Sequence, residues 1–135
     1  MFLNILSREE KLNFIDLLVR VVRIDGEMTE HEKELIRLMK YELAEDLAKY
    51  HKGNASLDKL VDYFSQKPSM TKNLVYTNLF AITLQDEFYS VEDHFILEDI
   101  RQKFGISDRK KAELLKIVYA ERDFKEKAKR VLTAE

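Results

Sequence analysis

The chain has 135 residues, 45% of them hydrophobic and 36% charged, with 3 glycines, 1 proline, no cysteine and a formal net charge of −2. That length suits one domain with a real core, and so few turn formers favour long helices over a many-stranded sheet. The lack of cysteine excludes disulfide, thiolate and Cys-ligated metal chemistry and fits a cytoplasmic protein, the charge gives no push toward nucleic acid, and no apolar run reaches transmembrane or signal-peptide length.

In chain order, Ser7-Arg8-Glu9-Glu10 is a capping box, in which hydroxyl and carboxylate satisfy free backbone donors reciprocally. It predicts a helix over residues 8–24. Phe14, Ile15, Leu17, Leu18, Val19, Val21, Val22 and Ile24 cover more than one stripe, which places this helix in the middle of a bundle. Asp25-Gly26 ends it. Thr29-Glu30-His31-Glu32 is a second capping box, opening a helix to about residue 49 with a single stripe of Leu35, Ile36, Met39, Leu43 and Leu47. After the Gly53-Asn54 loop, Ser56 caps a short helix to about residue 66, with Leu57, Leu60, Val61 and Phe64 inward. Pro68 breaks the chain, and a second buried helix follows over residues 69–85 with Leu74, Val75, Leu79, Phe80, Ile82 and Leu84 as core candidates. A loop over 86–89 leads to a helix capped by Ser90 and Asp93, its apolar face assigned to Phe95, Ile96, Ile100 and Phe104, with Gly105 as its stop. Ser107 caps a last helical region through residue 132, with Ala112, Leu115, Val118 and Tyr119 as its stripe. Glu121-Arg122-Asp123 is a candidate break before Phe124, Ala128 and Val131.

The phrase Ile24-Asp25-Gly26-Glu27-Met28-Thr29-Glu30-His31-Glu32 has a second version in Gln85-Asp86-Glu87-Phe88-Tyr89-Ser90-Val91-Glu92-Asp93. One constant offset pairs Asp25 with Asp86, Thr29 with Ser90 and Glu32 with Asp93. Similarity at a fixed offset predicts a duplicated supersecondary unit. The expected fold is all-α: a single-domain bundle, 1–135, of about six or seven helices with an internal helix-loop-helix duplication. The pseudo-repeats span about 7–50 and 68–106, and a helical region over 107–133 follows.

The acidic loop is the constellation that could carry chemistry. Asp25, Gly26, Thr29 and Glu32 match positions 5, 6, 9 and 12 of a calcium-binding EF-hand loop. Val21 and Arg23 would occupy positions 1 and 3 and cannot ligate a cation, which rejects a true EF-hand. What remains is a set of hard oxygen donors, Asp25 and Glu32 with Asp86 and Asp93, suited to calcium, magnesium or manganese rather than zinc. The same residues also read as helix caps and a helix stop, worth on the order of 1 kcal/mol per cap. His31, His51 and His94 fit neither a His-Glu-x-x-His zinc pattern nor the di-iron Glu-x-x-His motif. No nucleophile elbow or glycine-rich phosphate loop is present, so the expectation is a protein that is not an enzyme. Residues 25–46 hold eight acids against three bases, which offers the alternative of a structural protein-interaction domain with an acidic face and no metal, and residues 108–135 hold nine Lys/Arg against six acids. Interleaving of the C-terminal charges favours a solvated helix over a phosphate-binding one.

A buried helix running into Asp-Gly, then a hydroxyl cap and an acid-rich amphipathic helix (Val21 to Gly26, then Glu32, Leu35 and Ile36) resembles the TerB-like domain. The resemblance covers essentially the whole chain. It implies an all-helical, internally duplicated, non-enzymatic domain associated with tellurite resistance and other stress responses. It further implies divalent-metal binding through Asp25, Glu32, Asp86 and Asp93, and protein partners at the membrane surface. Glu87 stands where the second loop would carry its glycine, a departure from the family pattern. Reduction of tellurite itself would require thiols or a redox cofactor, and the chain has no cysteine.

Overall fold

The computed structural model describes residues 1–22, 54–84 and 91–135. Among them the secondary structure is entirely helical: a 3-10 turn at Leu3–Ile5, then α1 (Arg8–Val22), α2 (Leu57–Ser65), α3 (Ser69–Leu84), α4 (Val91–Lys103) and α5 (Asp108–Thr133). The expected helix over 29–49, its capping box, the Asp25-Gly26 stop, the loop over 86–89 and the Ser90 cap lie outside the described residues. None of the described helices is long and apolar enough to cross a membrane.

The caps predicted at Ser7, Ser56 and Ser107 are made. The Ser7 amide donates to Glu10 Oε1 at 2.8 Å and the Glu10 amide donates to Ser7 Oγ at 3.2 Å, completing the reciprocal box. Ser56 accepts from the Lys59 amide and Ser107 from the Lys110 amide. At the end of α4 the Gly105 amide bonds the Gln102 carbonyl and the Ile106 amide bonds the Arg101 carbonyl. That pair of bonds is a Schellman ending, and it needs the left-handed φ of +68° that Gly105 supplies.

Among the described residues the central helix is α3, which packs against each of the other four described helices. Its burial runs nearly all round, from Val75 through Phe80 and on to Ile82 and Thr83. A helix in that position must satisfy its polar side chains internally. Thr77 Oγ1 donates to the Asn73 carbonyl at 2.6 Å, Asn78 Nδ2 to the Leu74 carbonyl at 2.8 Å, and Thr83 Oγ1 to the Leu79 carbonyl. Against α3 sits α1, burying Phe14, Ile15, Leu17, Leu18 and Val21. The expectation of two buried helices at sequence positions 8–24 and 69–85 thus holds over their described spans.

Three expectations require correction. Phe95 is not on the inner face of α4: it is 66% exposed, while Asp93, Leu97, Ile100 and the following Phe104 are buried. Phe95 is two residues from Leu97, about 200° around the helix, so it cannot share its face. Second, Glu121-Arg122-Asp123 does not interrupt α5, which is one helix of 26 residues, about 39 Å long. The stretch has no Gly or Pro to stop a helix, and an i,i+4 pair from Lys125 to Glu121 at 2.7 Å supports it. Third, the α5 stripe does not all face inward: Val118 is buried, Ala112 and Tyr119 are exposed, and Phe124 and Val131 are 71% and 67% exposed.

The N-terminal segment adds an element that the sequence pattern did not announce. Leu3 and Leu6 are buried in the core. The Met1 ammonium donates to Asn78 Oδ1 at 2.9 Å, and Asn78 Nδ2 donates to the Met1 carbonyl at 3.0 Å. This two-way clamp lays the segment against the middle of α3.

Candidate functional site

Of the four acids expected to hold a cation, Asp93 is described: it lies in the first turn of α4 and is 4% exposed. Asp25, Glu32 and Asp86 lie outside the described residues, so their convergence with Asp93 is not part of the described geometry. Among the described residues no three His, Asp or Glu side chains come together as a metal would require. His94 follows Asp93 in sequence and is exposed, as expected of it.

Among the described residues charged clusters tie helices together, Lys103 on α4 reaching Asp58 on α2 at 3.6 Å in addition to two larger groups. Glu98 accepts from Arg101 at 2.8 Å and from Lys111, joining α4 to α5. The Arg101 guanidinium also reaches the Ile106 carbonyl at 2.9 Å and Asp108 at 3.1 Å. Hydrogen bonding from Arg101, reinforced by Lys111 and opposed by burial, holds the Glu98 carboxyl down at about 2. The second cluster joins the end of α2 to α1. Lys67 pairs with Glu10 at 3.4 Å and stands 4.7 Å over the Tyr63 ring. The Ser7 amide is the first cause holding the Glu10 carboxyl low, and burial raises the Tyr63 hydroxyl. Each carboxylate is already engaged by cations or amides that fix the fold. Both clusters are latches.

The remaining feature is apolar. Where the N-terminal segment, α3 and the start of α5 meet, Phe2, Ile5, Met70, Leu74, Leu114 and Ile117 line an open groove of about 240 Å³. Phe2, Ile5, Met70 and Ile117 are each at least half exposed, so no described residue covers the groove. Phe2 holds a left-handed φ of 57°, rare for a bulky side chain. The groove continues onto the outer half of α5. Leu114, Ile117, Glu121, Phe124, Ala128 and Val131 follow one another at spacings of 3, 4, 3, 4 and 3, the seam of a helix that pairs along its length. Lys125 and Lys127 border that seam on either side, and beyond Val118 no residue of α5 is buried.

An exposed apolar groove of this kind is the usual mark of a binding face. Sequence inspection missed it because Phe2 and Ile117 meet only through the tertiary fold. The 3-4 spacing along α5 was the available signal, obscured by the assumed break at Glu121. No family model, no curated protein and no solved structure matches the chain.

Proposed function

We propose that the chain is a helical binding module of TerB-like type and not an enzyme, and that its working surface is the apolar groove together with the outer half of α5. The observation that carries this reading is the exposure of Met70 and Ile117 at the groove and of Phe124 and Val131 further along the same face of α5. An amphipathic helix seated in an apolar groove is a recurrent recognition mode, with anchors at i, i+3 and i+4 spacing. The duplication inferred from the repeated acidic phrase belongs to the same proposal. It is supported by the burial of the offset-matched pairs Phe14 with Val75, Leu18 with Leu79 and Val21 with Ile82. Selection from a displayed library of random helical peptides tests the binding role. Peptides with paired apolar anchors should be recovered, and Ile117→Asp should abolish their capture while leaving the circular dichroism spectrum unchanged. Failure to recover any peptide, or recovery of peptides indifferent to Ile117→Asp, would sink the reading.

A divalent-cation role for Asp25, Glu32, Asp86 and Asp93 is the second reading. It is supported by one observation: the Asp93 carboxylate is withdrawn from solvent at the head of α4. Binding to the folded state alone raises the melting temperature with ion concentration. Calcium, magnesium or manganese should therefore stabilise the chain, and Asp25→Asn should remove the effect. A flat response to all three ions up to millimolar concentration would leave these acids as caps.

A further inference from the structure

The binding surface described above has two halves that suit each other: a concave apolar groove and, beside it on the same molecule, a projecting helix with an apolar seam. We propose that the surface is an interface between two copies of the chain, with the outer half of α5 from each copy lying antiparallel across the groove of the other. The proposal rests on the binding-module reading and names its partner.

Three observations favour a second copy. First, the two halves are adjacent on one face, which is what a twofold interface needs, since the same patch must serve both partners. Second, the area suffices. Phe2, Ile5, Met70 and Ile117 around the groove are 50–63% exposed, and Phe124, Val131 and Leu132 beyond it are 67–83% exposed. Together they offer on the order of 800 Å² per copy, the size of a standard stable interface. Third, the seam has its own register. Antiparallel pairing sets Leu114 opposite Val131 and Ile117 opposite Ala128, with Glu121 near the centre beside Phe124. Glu121 is already neutralised by Lys125 at 2.7 Å, so the seam brings no lone charge into the contact. An anionic lipid surface is the competing occupant, since lysines border the seam. A flat bilayer would leave the concavity between Met70 and Leu114 unfilled, which favours a convex helix.

The two occupants respond to salt differently. Residues 124–133 carry four Lys/Arg against one acid. In the antiparallel register the two basic ends lie at opposite ends of the contact, further apart than a Debye length, so they scarcely repel each other and salt has little to screen. Binding to an anionic membrane draws on the same charges and weakens with salt.

Sedimentation equilibrium of the full chain between 1 and about 100 μM, at low and high sodium chloride, tests the proposal, at the concentrations where an interface of this size holds. The expected result is a monomer–dimer equilibrium in the micromolar range that changes little with salt. Phe124→Asp and Met70→Asp should each weaken it at least tenfold without loss of helical content. Because one disables the seam and the other the groove, a mixture of the two variants should recover part of the association that neither shows alone. A wild-type chain that stays monomeric at 100 μM, or a dimer indifferent to both substitutions, would overturn the proposal. A monomer that floats with phosphatidylglycerol vesicles but not phosphatidylcholine vesicles would assign the face to lipid instead. A monomer that still captures apolar helical peptides through Ile117 would reject the second copy and leave the binding module standing.

Discussion

Glu98 is the side chain on which the junction between α4 and α5 turns. It faces Arg101 within its own helix and Lys111 from the next, and only 21% of its side chain meets solvent. Its folded carboxyl titrates at about 2 instead of 4.5. A depressed carboxyl contributes stability that is present above the unfolded value, and that stability is lost as pH falls from about 4.5 toward 2. After allowance for solvent screening at a partly exposed pair, the contribution is on the order of 1–2 kcal/mol. Glu98→Gln should remove that much near neutral pH. Urea unfolding of both proteins at several pH values would show the difference narrowing below pH 4.5 and closing near 2. A gap that stays constant with pH would assign the loss to packing around the side chain instead.

Among the elements, the α4–α5 corner depends most on one backbone conformation. A Cβ on Gly105 would meet nothing within 4 Å, so space is not the constraint. The constraint is its φ of +68°, which an L side chain seldom adopts. Gly105→Ala should therefore cost about 1 kcal/mol in equilibrium unfolding, and Gly105→Asn less, because Asn tolerates the left-handed region. Equal losses for Ala and Asn would move the explanation from backbone to sterics. This ending was legible in the sequence, as were the caps at Ser7, Ser56 and Ser107, because each is decided within four residues of chain. Phe95 was misplaced for the opposite reason. The rotation of α4 about its axis is fixed by the packing of Leu97 and Ile100 against other helices, and local spacing allows either face. The docking of Leu3 and Leu6, and the clamp of Asn78 on Met1, join residues far apart in sequence and left no local trace. The candidate site divides the same way: Asp93 was visible as a helix-start acid, whereas the groove exists only after the N-terminal segment, α3 and α5 have met.

On the scale of the whole molecule, stability is concentrated around α3 and thins outward along α5. Leu18, 1% exposed on α1, belongs to that centre. Leu18→Ala should cost about 2–5 kcal/mol, as deletions in well-packed cores do. A loss under about 0.5 kcal/mol, the range of surface changes, would remove α1 from the core layer. Hydrogen exchange should follow the same gradient, with α3 amides slowest and those beyond Val118 fast in a dilute monomer. The back-bonding of Thr77, Asn78 and Thr83 to carbonyls one turn earlier gives the central helix a further property. The hydroxyls of Thr77 and Thr83 are satisfied within α3 itself, so the neighbouring helices meet that stretch by shape rather than by polar code. A centre of that sort is permissive. Neighbouring helices can exchange one aliphatic side chain for another of equal volume without orphaning a donor, and drift in sequence while the architecture stays fixed.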